Sequence, residues 1–579
     1  MRFVSHRLPF LLEMLFNGPF IILFALQLTG RVPVFIPAAV LEQVISVGAY
    51  IVPFVLCLVV GFCFWTSKDL EDFIRRHIFS LVILLPLFIT FGDKEFAFWL
   101  SSAHFLSTIL SLYEQPELGE YSEKPKWWRS GKPVLPSFRL SPAQIVLLSF
   151  AGIILLGTFL LALPVSAPDN QRISVVDALF MTTSATCVTG LATISVKNNL
   201  SLFGQMILLA LIQVGGLGFM TLASSLTILM GRSTRMSERL LMQDLLEVNG
   251  MDELYQMIVD IMRYTFFIEL WGAIVLALGF SYEGIEFSDA LYYGFFHSIS
   301  AFCNAGFAMW DNNLENFAAS PLIHGTISVL IILGGLGFIV LRELREMFLK
   351  KKIFLRLTLH SKIVIITSGF LIFAGMLFIF FGEFLNALDS YTLFEKIQIA
   401  FFQSVTLRTA GFNTISLTSL HPFTAYGMML FMFIGGSPGS TAGGIKTTTF
   451  AILVQSIKST LKGQKSVTIF DRTLPTPIVV KAIGLTFISI VIVCFFVLIM
   501  MRIEPNQNLL TLMFEVVSAF GTVGLSLGAT TQLSVAGKIA ISLLMYIGRV
   551  GPLTMALAVG ESAAGRGKLE YPDGRVLIG

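Results

Sequence analysis

Ser518-Ala-Phe-Gly-Thr-Val-Gly-Leu525 lies between a short helix-like run, Leu509 to Phe520, and a long apolar segment at about Ser534 to Val559. A single Thr-Val-Gly turn carries little weight, because such triplets arise by chance. Three further stretches read as copies of it: Ser184-Ala-Thr-Cys-Val-Thr-Gly-Leu191, Ser300-Ala-Phe-Cys-Asn-Ala-Gly-Phe307 and Val405-Thr-Leu-Arg-Thr-Ala-Gly-Phe412. Aligned on the glycine they give Gly190, Gly306, Gly411 and Gly524, separated by 116, 105 and 113 residues. Each copy is followed by an apolar helix with glycines at matching depth: Gly215-Gly216-Leu217-Gly218, Gly334-Gly335-Leu336-Gly337, Gly435-Gly436 and Gly548-Arg549-Val550-Gly551. One repeat therefore organises most of the chain.

Charge is scarce. The 579 residues are 55% hydrophobic and 13% charged, with a mean hydropathy of +0.81, whereas soluble domains carry about 25% charged residues. Several apolar runs reach the ~20 residues that a spanning helix needs. The pattern predicts an all-α polytopic membrane protein. A net charge of +3 implies no nucleic-acid partner. Cys57, Cys63, Cys187, Cys303 and Cys494 are scattered; none has metal-ligand spacing with histidines, and no disulfide framework emerges.

Residues 1–112 hold apolar runs near 8–29, 37–65, 78–91 and 96–112, read as about four additional, accessory membrane helices. Leu8 to Leu28 is read as retained, since no convincing cleavage site follows it. Residues 113–142 are a polar linker rich in Pro, Glu and Lys. Four repeats follow at 143–232, 256–350, 360–460 and 475–561, then a tail at 562–579. Each repeat has an outer helix (near 143–164, 257–280, 362–385 and 477–501), a half-helix, the glycine loop and an inner helix. Ser174-Val-Val-Asp177 has capping-box form and Ser288-Asp289 is read as the start of the second half-helix. Half-helices of about 12–16 residues cannot span; each should dip in and return. Such irregular backbone survives at membrane depth only inside protein or beside a wet cavity.

Basic residues test this topology. The junctions between repeats carry Arg232, Arg235 and Arg239, then Arg342, Arg345, Lys350, Lys351, Lys352 and Arg356, then Lys458, Lys462, Lys465 and Arg472. The segment from Ser281 to Pro321 contains no Lys or Arg. Junctions are thus predicted to be cytoplasmic, with the loops entering from outside.

These residues resemble the Trk/Ktr/HKT superfamily of potassium transporters, in which four helix–pore loop–helix units are fused around one pore. The resemblance covers about 143–579 and rests on three features: the four loop glycines, Arg408-Thr-Ala-Gly-Phe412, and Gly435-Gly-Ser-Pro-Gly-Ser-Thr-Ala-Gly-Gly-Ile-Lys446. Tyr571-Pro-Asp-Gly-Arg-Val-Leu-Ile-Gly579 is similar to the tail of Ktr-type membrane subunits, whereas residues 1–142 depart from the Ktr pattern.

A dehydrated monovalent cation needs oxygens on all sides, and four loops about one axis supply rings of carbonyls. The candidate filter residues are Thr186, Cys187, Val188, Thr189 and Gly190; Phe302, Cys303, Asn304, Ala305 and Gly306; Leu407, Arg408, Thr409, Ala410 and Gly411; and Phe520, Gly521, Thr522, Val523 and Gly524. The resemblance links glycine in all four loops to K+ selectivity and serine in the first to Na+ permeation. Asn304-Ala305 and Thr409-Ala410 replace Thr-Val, so fewer well-formed sites and looser discrimination are expected. Cys187 and Cys303 are read as small packers behind the loops. Arg408 admits two readings, bonding filter carbonyls from behind or repelling ions.

Between Gly435 and Gly444 five glycines and Pro438 interrupt the third inner helix, at about 1 kcal/mol per glycine and about 3 for an interior proline. The resemblance makes this an intramembrane gating loop. The candidate gate comprises Gly435, Gly436, Ser437, Pro438, Gly439, Ser440, Thr441, Ala442, Gly443, Gly444, Lys446 and Arg549. A phosphate-loop reading fails because Ile445 separates Gly444 from Lys446. Arg549 costs at least ~2.5–3.5 kcal/mol at mid-membrane, so it should face water or a partner; the resemblance makes it a barrier below the filter. Lys446 is placed near the cytoplasmic face. Glu515 is either a cation-concentrating or a packed, hydrogen-bonded carboxyl. Glu269 is read as a structural polar contact, and His297 as a packer behind the filter.

The expectation is a K+ uptake subunit in a bacterial plasma membrane, the inner one if Gram-negative. Its junctions are cytoplasmic, it contacts membrane lipid, and it is not an enzyme. No tightly bound cofactor is expected: K+ is the cargo, a regulatory Na+ is admitted, and nucleotide belongs to a partner. The resemblance implies a homodimer on a ring of cytosolic nucleotide-binding (RCK-type) subunits. Alternatives are a Na+-permeable or Na+/K+ transporter of the same architecture, or an ion-coupled solute symporter. The last predicts repeats of alternating orientation, against the uniform junction charge.

Overall fold

The computed structural model describes residues 142–168, 172–218, 251–349, 357–464 and 466–552, with residues 102, 554 and 555. The segments expected over 1–112 and 113–142, apart from Ser102 and Pro142, lie outside the described residues. So do Arg232, Arg235, Arg239, the basic run at 350–356, Lys465 and the tail at 562–579.

The structure is all-α in its membrane part. The first repeat comprises α1 (Pro142–Leu161), α2 (Val175–Thr186) and α3 (Leu202–Leu217). In the second, α4 (Met251–Tyr282), α5 (Phe287–Phe302) and α6 (Pro321–Leu336) continue into α7 (Phe338–Leu349). The third holds α8 (Leu359–Glu383), α9 (Leu393–Thr406), α10 (Pro422–Phe433) and α11 (Thr447–Leu461). A small hairpin, β1 (Thr468–Ile469) with β2 (Arg472–Thr473), leads to α12 (Thr476–Ile503), α13 (Leu509–Gly521) and α14 (Val535–Val550) of the fourth.

Three described stretches are long and apolar enough to cross a membrane: Val259–Tyr282, Leu359–Glu383 and Thr476–Ile503. The half-helices α2, α5, α9 and α13 have 12, 16, 14 and 13 residues. At 1.5 Å per residue they reach roughly 18–24 Å and cannot span. Inner helices start where local chemistry satisfies the first turn. Ser201 and Ser534 accept the amides of Gly204 and Gly537, each at 3.2 Å. Pro321 and Pro422 sit at first-turn positions that need no amide hydrogen.

Two helix starts differ from expectation. The Ser174 side chain caps nothing, because Asp177 is drawn instead to Lys538 of α14, Oδ1 to Nζ 2.6 Å. The second half-helix begins at Phe287 with Glu286 before it, so Ser288 lies inside the helix. A complete capping box forms at α9, where Thr392 and Glu395 bond reciprocally. These bonds hold the Glu395 carboxyl below its ordinary range.

The inner helices bring a second correction. The fourth was read as one run to Val559, and a break was singled out only in the third. In fact α3, α6 and α14 all stop at the same depth, at Gly218, Gly337 and Gly551, whose φ values are +79°, +93° and +91°. Only glycine adopts these angles freely. Past Gly337 the chain turns by 107° into α7.

Polar bonds join three of the four seams between repeats. Tyr292 Oη donates to Gln205 Oε1 at 2.7 Å, second repeat to first. The Leu314 amide donates to the Asn413 carbonyl at 3.1 Å, second to third. Tyr546 Oη donates to the Leu147 carbonyl at 2.6 Å, and Lys538 pairs with Asp177, both fourth to first. The Asp177–Lys538 side chains are only 19% and 17% exposed, so stranding one charge should cost roughly 1–3 kcal/mol, below the 3–5 of a fully buried pair. Asp177→Asn is therefore expected to lower the detergent-solubilised melting temperature by a few degrees. Asp177→Asn with Lys538→Met should recover part of that loss; a single variant melting like the parent would show the pair to be idle.

Candidate functional site

Twenty loop residues carry the candidate filter, and the backbone treats the four copies alike. The residue two before each glycine is left-handed: Val188 (φ +56°), Asn304 (+60°), Thr409 (+66°) and Thr522 (+51°). The glycines follow at +97°, +69°, +78° and +92°. Each non-glycine in this region costs roughly 1–2 kcal/mol, and strain of this kind concentrates at functional sites. The substitutions Asn304-Ala305 and Thr409-Ala410 leave this backbone alternation unchanged.

The glycines meet one another. A methyl group on Gly190 would collide with the Ala305 carbonyl, on Gly306 with that of Ala410, on Gly411 with that of Val523, and on Gly524 with that of Thr189, at 2.7 Å or less in each case. That sequence of contacts visits the four repeats in order and returns to the first. The four glycines therefore encircle a single axis, with the carbonyl preceding each glycine set against its neighbour. The hydroxyls of Thr186, Thr189, Thr409 and Thr522 are buried there without a partner.

Below the ring the inner helices press in at glycine. A side chain on Gly215, Gly334 or Gly548 would strike the carbonyl of Thr186, Phe302 or Phe520, the first residue of each candidate filter segment. In the first and fourth repeats a serine braces the loop, Ser184 Oγ accepting the Gly190 amide and Ser518 Oγ the Gly524 amide, each at 3.1 Å.

The third repeat breaks the pattern. Val405 replaces the serine, and α10 ends before a loop whose ends are stitched together: the Gly435 amide donates to the Ile445 carbonyl at 2.8 Å, and the Thr447 amide to that of Gly436 at 3.0 Å. The loop crosses under the ring. The Ser437 and Thr441 amides donate to the Gly335 and Gly334 carbonyls at 3.1 and 3.3 Å. Thr441 Oγ1 donates to the Phe302 carbonyl at 3.3 Å. A side chain on Gly443 would meet Thr522 Oγ1 of the fourth filter.

Three cations hold this loop. Arg408 Nη2 donates to the Gly435 carbonyl at 2.7 Å, so it bonds the loop and not the filter carbonyls considered from sequence. Its Nε and Nη1 are buried without partners. Arg549 donates to the carbonyls of Thr441 and Gly215, tying the loop to the first inner helix. Lys446 folds back so that Nζ donates to the Ala442 carbonyl at 2.8 Å; it belongs to the loop and is half-buried. Among the described residues none of the three has a carboxylate partner.

The remaining polar groups lie behind the loops. Glu515 is buried and accepts from Thr530 Oγ1 at 2.9 Å and from Ser526 Oγ, which makes it the packed carboxyl. Glu269 accepts from Gln213 Nε2 at 3.2 Å, with Cys303 Sγ 3.8 Å from its other oxygen. Cys187 and Cys303 are fully buried. His297 stacks on Trp310 at 4.9 Å and bonds the Tyr293 carbonyl at 2.7 Å. Sequence reasoning missed the helix stops at Gly218, Gly337 and Gly551; their common place three residues past Gly215, Gly334 and Gly548 was the available signal.

A family model described as TrkH, cation transport protein, matches residues 137–564. The chain is 36% identical over 448 residues to Ktr system potassium uptake protein B of Bacillus subtilis, covering 77% of this chain and 98% of that one. It is 35% identical over 447 residues to potassium/sodium uptake protein NtpJ of Enterococcus hirae, covering 76% and 98%. The crystal structure of the potassium transporter TrkH from Vibrio parahaemolyticus superposes with a TM-score of 0.61 at 18% identity, over 90% of this chain and 99% of that one, a likeness of fold.

Proposed function

Because the chain belongs to the TrkH family of cation transport proteins, we propose that it is a multi-pass K+ uptake subunit whose four loops form one selectivity filter above an intramembrane gate. The observation that carries this reading is the closed circuit of glycines, each abutting the carbonyl of the next repeat. Carbonyl and hydroxyl oxygens facing one axis offer a dehydrated monovalent cation the ligands it leaves in water. The dipoles of α2, α5, α9 and α13 point their negative ends toward the same place. Cations pass down their electrochemical gradient through this ring, and Arg549, Lys446 and the loop 435–446 oppose them below it.

Opening requires the loop to move. The Phe338 amide at the head of α7 donates to the Gly439 carbonyl at 3.0 Å, and Gly337 abuts the Pro438 carbonyl. α7 lies on the basic, cytoplasmic side, and its displacement would be felt at the loop directly. A cytosolic nucleotide-binding ring, beneath a homodimer of this chain, is the partner that fits. A Ktr system is named for the Bacillus relative.

The second reading is K+ and Na+ transport together. It is favoured by the potassium/sodium name of the Enterococcus relative and by Asn304-Ala305 and Thr409-Ala410 in place of Thr-Val. Purified protein in liposomes separates the two. K+ flux well above Na+ flux is expected; equal fluxes favour the second reading, and no flux of either with the partner present defeats both.

A further inference from the structure

We infer that Asn313 is a specificity-determining residue that holds the outermost carbonyl of the third filter loop, making the mouth of the ring chemically unequal. This rests on the cation-filter reading above and adds a residue outside the four loops. Asn313 lies between the second loop and α6, in the left-handed conformation (φ +55°). Asparagine tolerates that conformation better than most residues. Its Nδ2 donates to the Gly411 carbonyl at 3.3 Å. Its Oδ1 is buried without a partner, so the amide is aimed at that carbonyl and at nothing else.

The segment is fixed on both sides of the contact. The Asn313 amide donates to the Trp310 carbonyl at 3.0 Å and the next amide, that of Leu314, to the Asn413 carbonyl at 3.1 Å. Asn413 Nδ2 in turn donates to Glu315 Oε1 at 2.9 Å. Asn313 therefore cannot drift from Gly411 without breaking bonds between the second and third repeats. Among the described residues no side chain donates to the carbonyls of Gly190, Gly306 or Gly524. A carbonyl already accepting an amide hydrogen gives less electron density to a cation. The outermost site for a dehydrated monovalent cation is thereby weakened on one of its four sides, which eases release and lowers discrimination by ion size.

The test compares K+, Rb+ and Na+ uptake into liposomes by the full chain and two variants. Asn313→Gly keeps the left-handed turn and removes the amide; Asn313→Ala removes the amide without adding a charge. Freeing the Gly411 carbonyl should lower the half-saturating K+ concentration about fivefold, the value of one neutral hydrogen bond. The maximum rate should change less, and the K+/Na+ ratio should shift. Asn316→Ala is the control, because it breaks the Asn312–Asn316 side-chain bond of 2.7 Å in the same segment without touching the filter. Should Asn313→Gly fail to fold, Asn313→Ala decides alone. Unchanged half-saturation and ion ratio in a folded Asn313 variant overturn the inference, as does the same shift in Asn316→Ala. A parent protein that passes no cation defeats the filter reading itself, a separate outcome.

Discussion

Serine at Gly190 is expected to cut the preference for K+ over Na+ at least tenfold while the protein still inserts and folds. Gly190 has φ +97°, and an added β-carbon would collide with the Ala305 carbonyl. The angle alone costs a non-glycine residue roughly 1–2 kcal/mol. The collision is with backbone, so no side chain can swing aside to relieve it. Either the first loop retreats or the Ala305 carbonyl turns, and both change the ring around the cation. A distortion that alters relative binding by about 1.4 kcal/mol is a factor of ten. The hydroxyl adds a compact oxygen ligand suited to a smaller ion, so the loss should favour Na+. Gly484→Ser is the control, since an added side chain there meets nothing within 4 Å. Measured K+ and Na+ fluxes in an unaltered ratio would remove Gly190 from the selectivity argument.

Repetition is what made the site legible. Four glycines at near-constant spacing pointed to four loops, and the apolar runs flanking them gave every outer helix and called for a half-helix before each loop. The structure adds the reason: Gly190, Gly306, Gly411 and Gly524 are each too close to a neighbouring repeat for any β-carbon. The glycines of the inner helices were visible too, but a glycine in an apolar run can mean close packing or a stop. Gly215 and Gly218 turn out to be one of each. Long charged side chains were the least legible. Arg408 reaches a carbonyl 27 residues away, and Asp177 abandons its local capping role for Lys538, 361 residues on. Sequence spacing says nothing of such partners, because they are set by how the repeats close on themselves.

Releasing the loop below the ring is expected to raise K+ flux about tenfold or more, whether by Arg549→Gln or by deleting residues 436–443. Arg549 makes two charge-assisted bonds, to the Thr441 and Gly215 carbonyls. Each is worth roughly 1.5–3 kcal/mol, so losing even one shifts a closed–open balance by about tenfold. The deletion is structurally mild because the ends of the loop already touch. Ile434 and Ile445 form a bridge, and a β-carbon on Gly435 would lie 3.2 Å from Gly444 Cα. Joining Gly435 to Gly444 therefore leaves α10 and α11 where they are. Arg549→Lys separates the two ways Arg549 could act. Lysine keeps the charge but loses the planar fork that grips two carbonyls at once. Flux that stays low with lysine and rises with glutamine assigns the barrier to charge; flux that rises with both assigns it to the pin. Unchanged or reduced flux in folded protein for glutamine and for the deletion would mean that the loop does not obstruct the path.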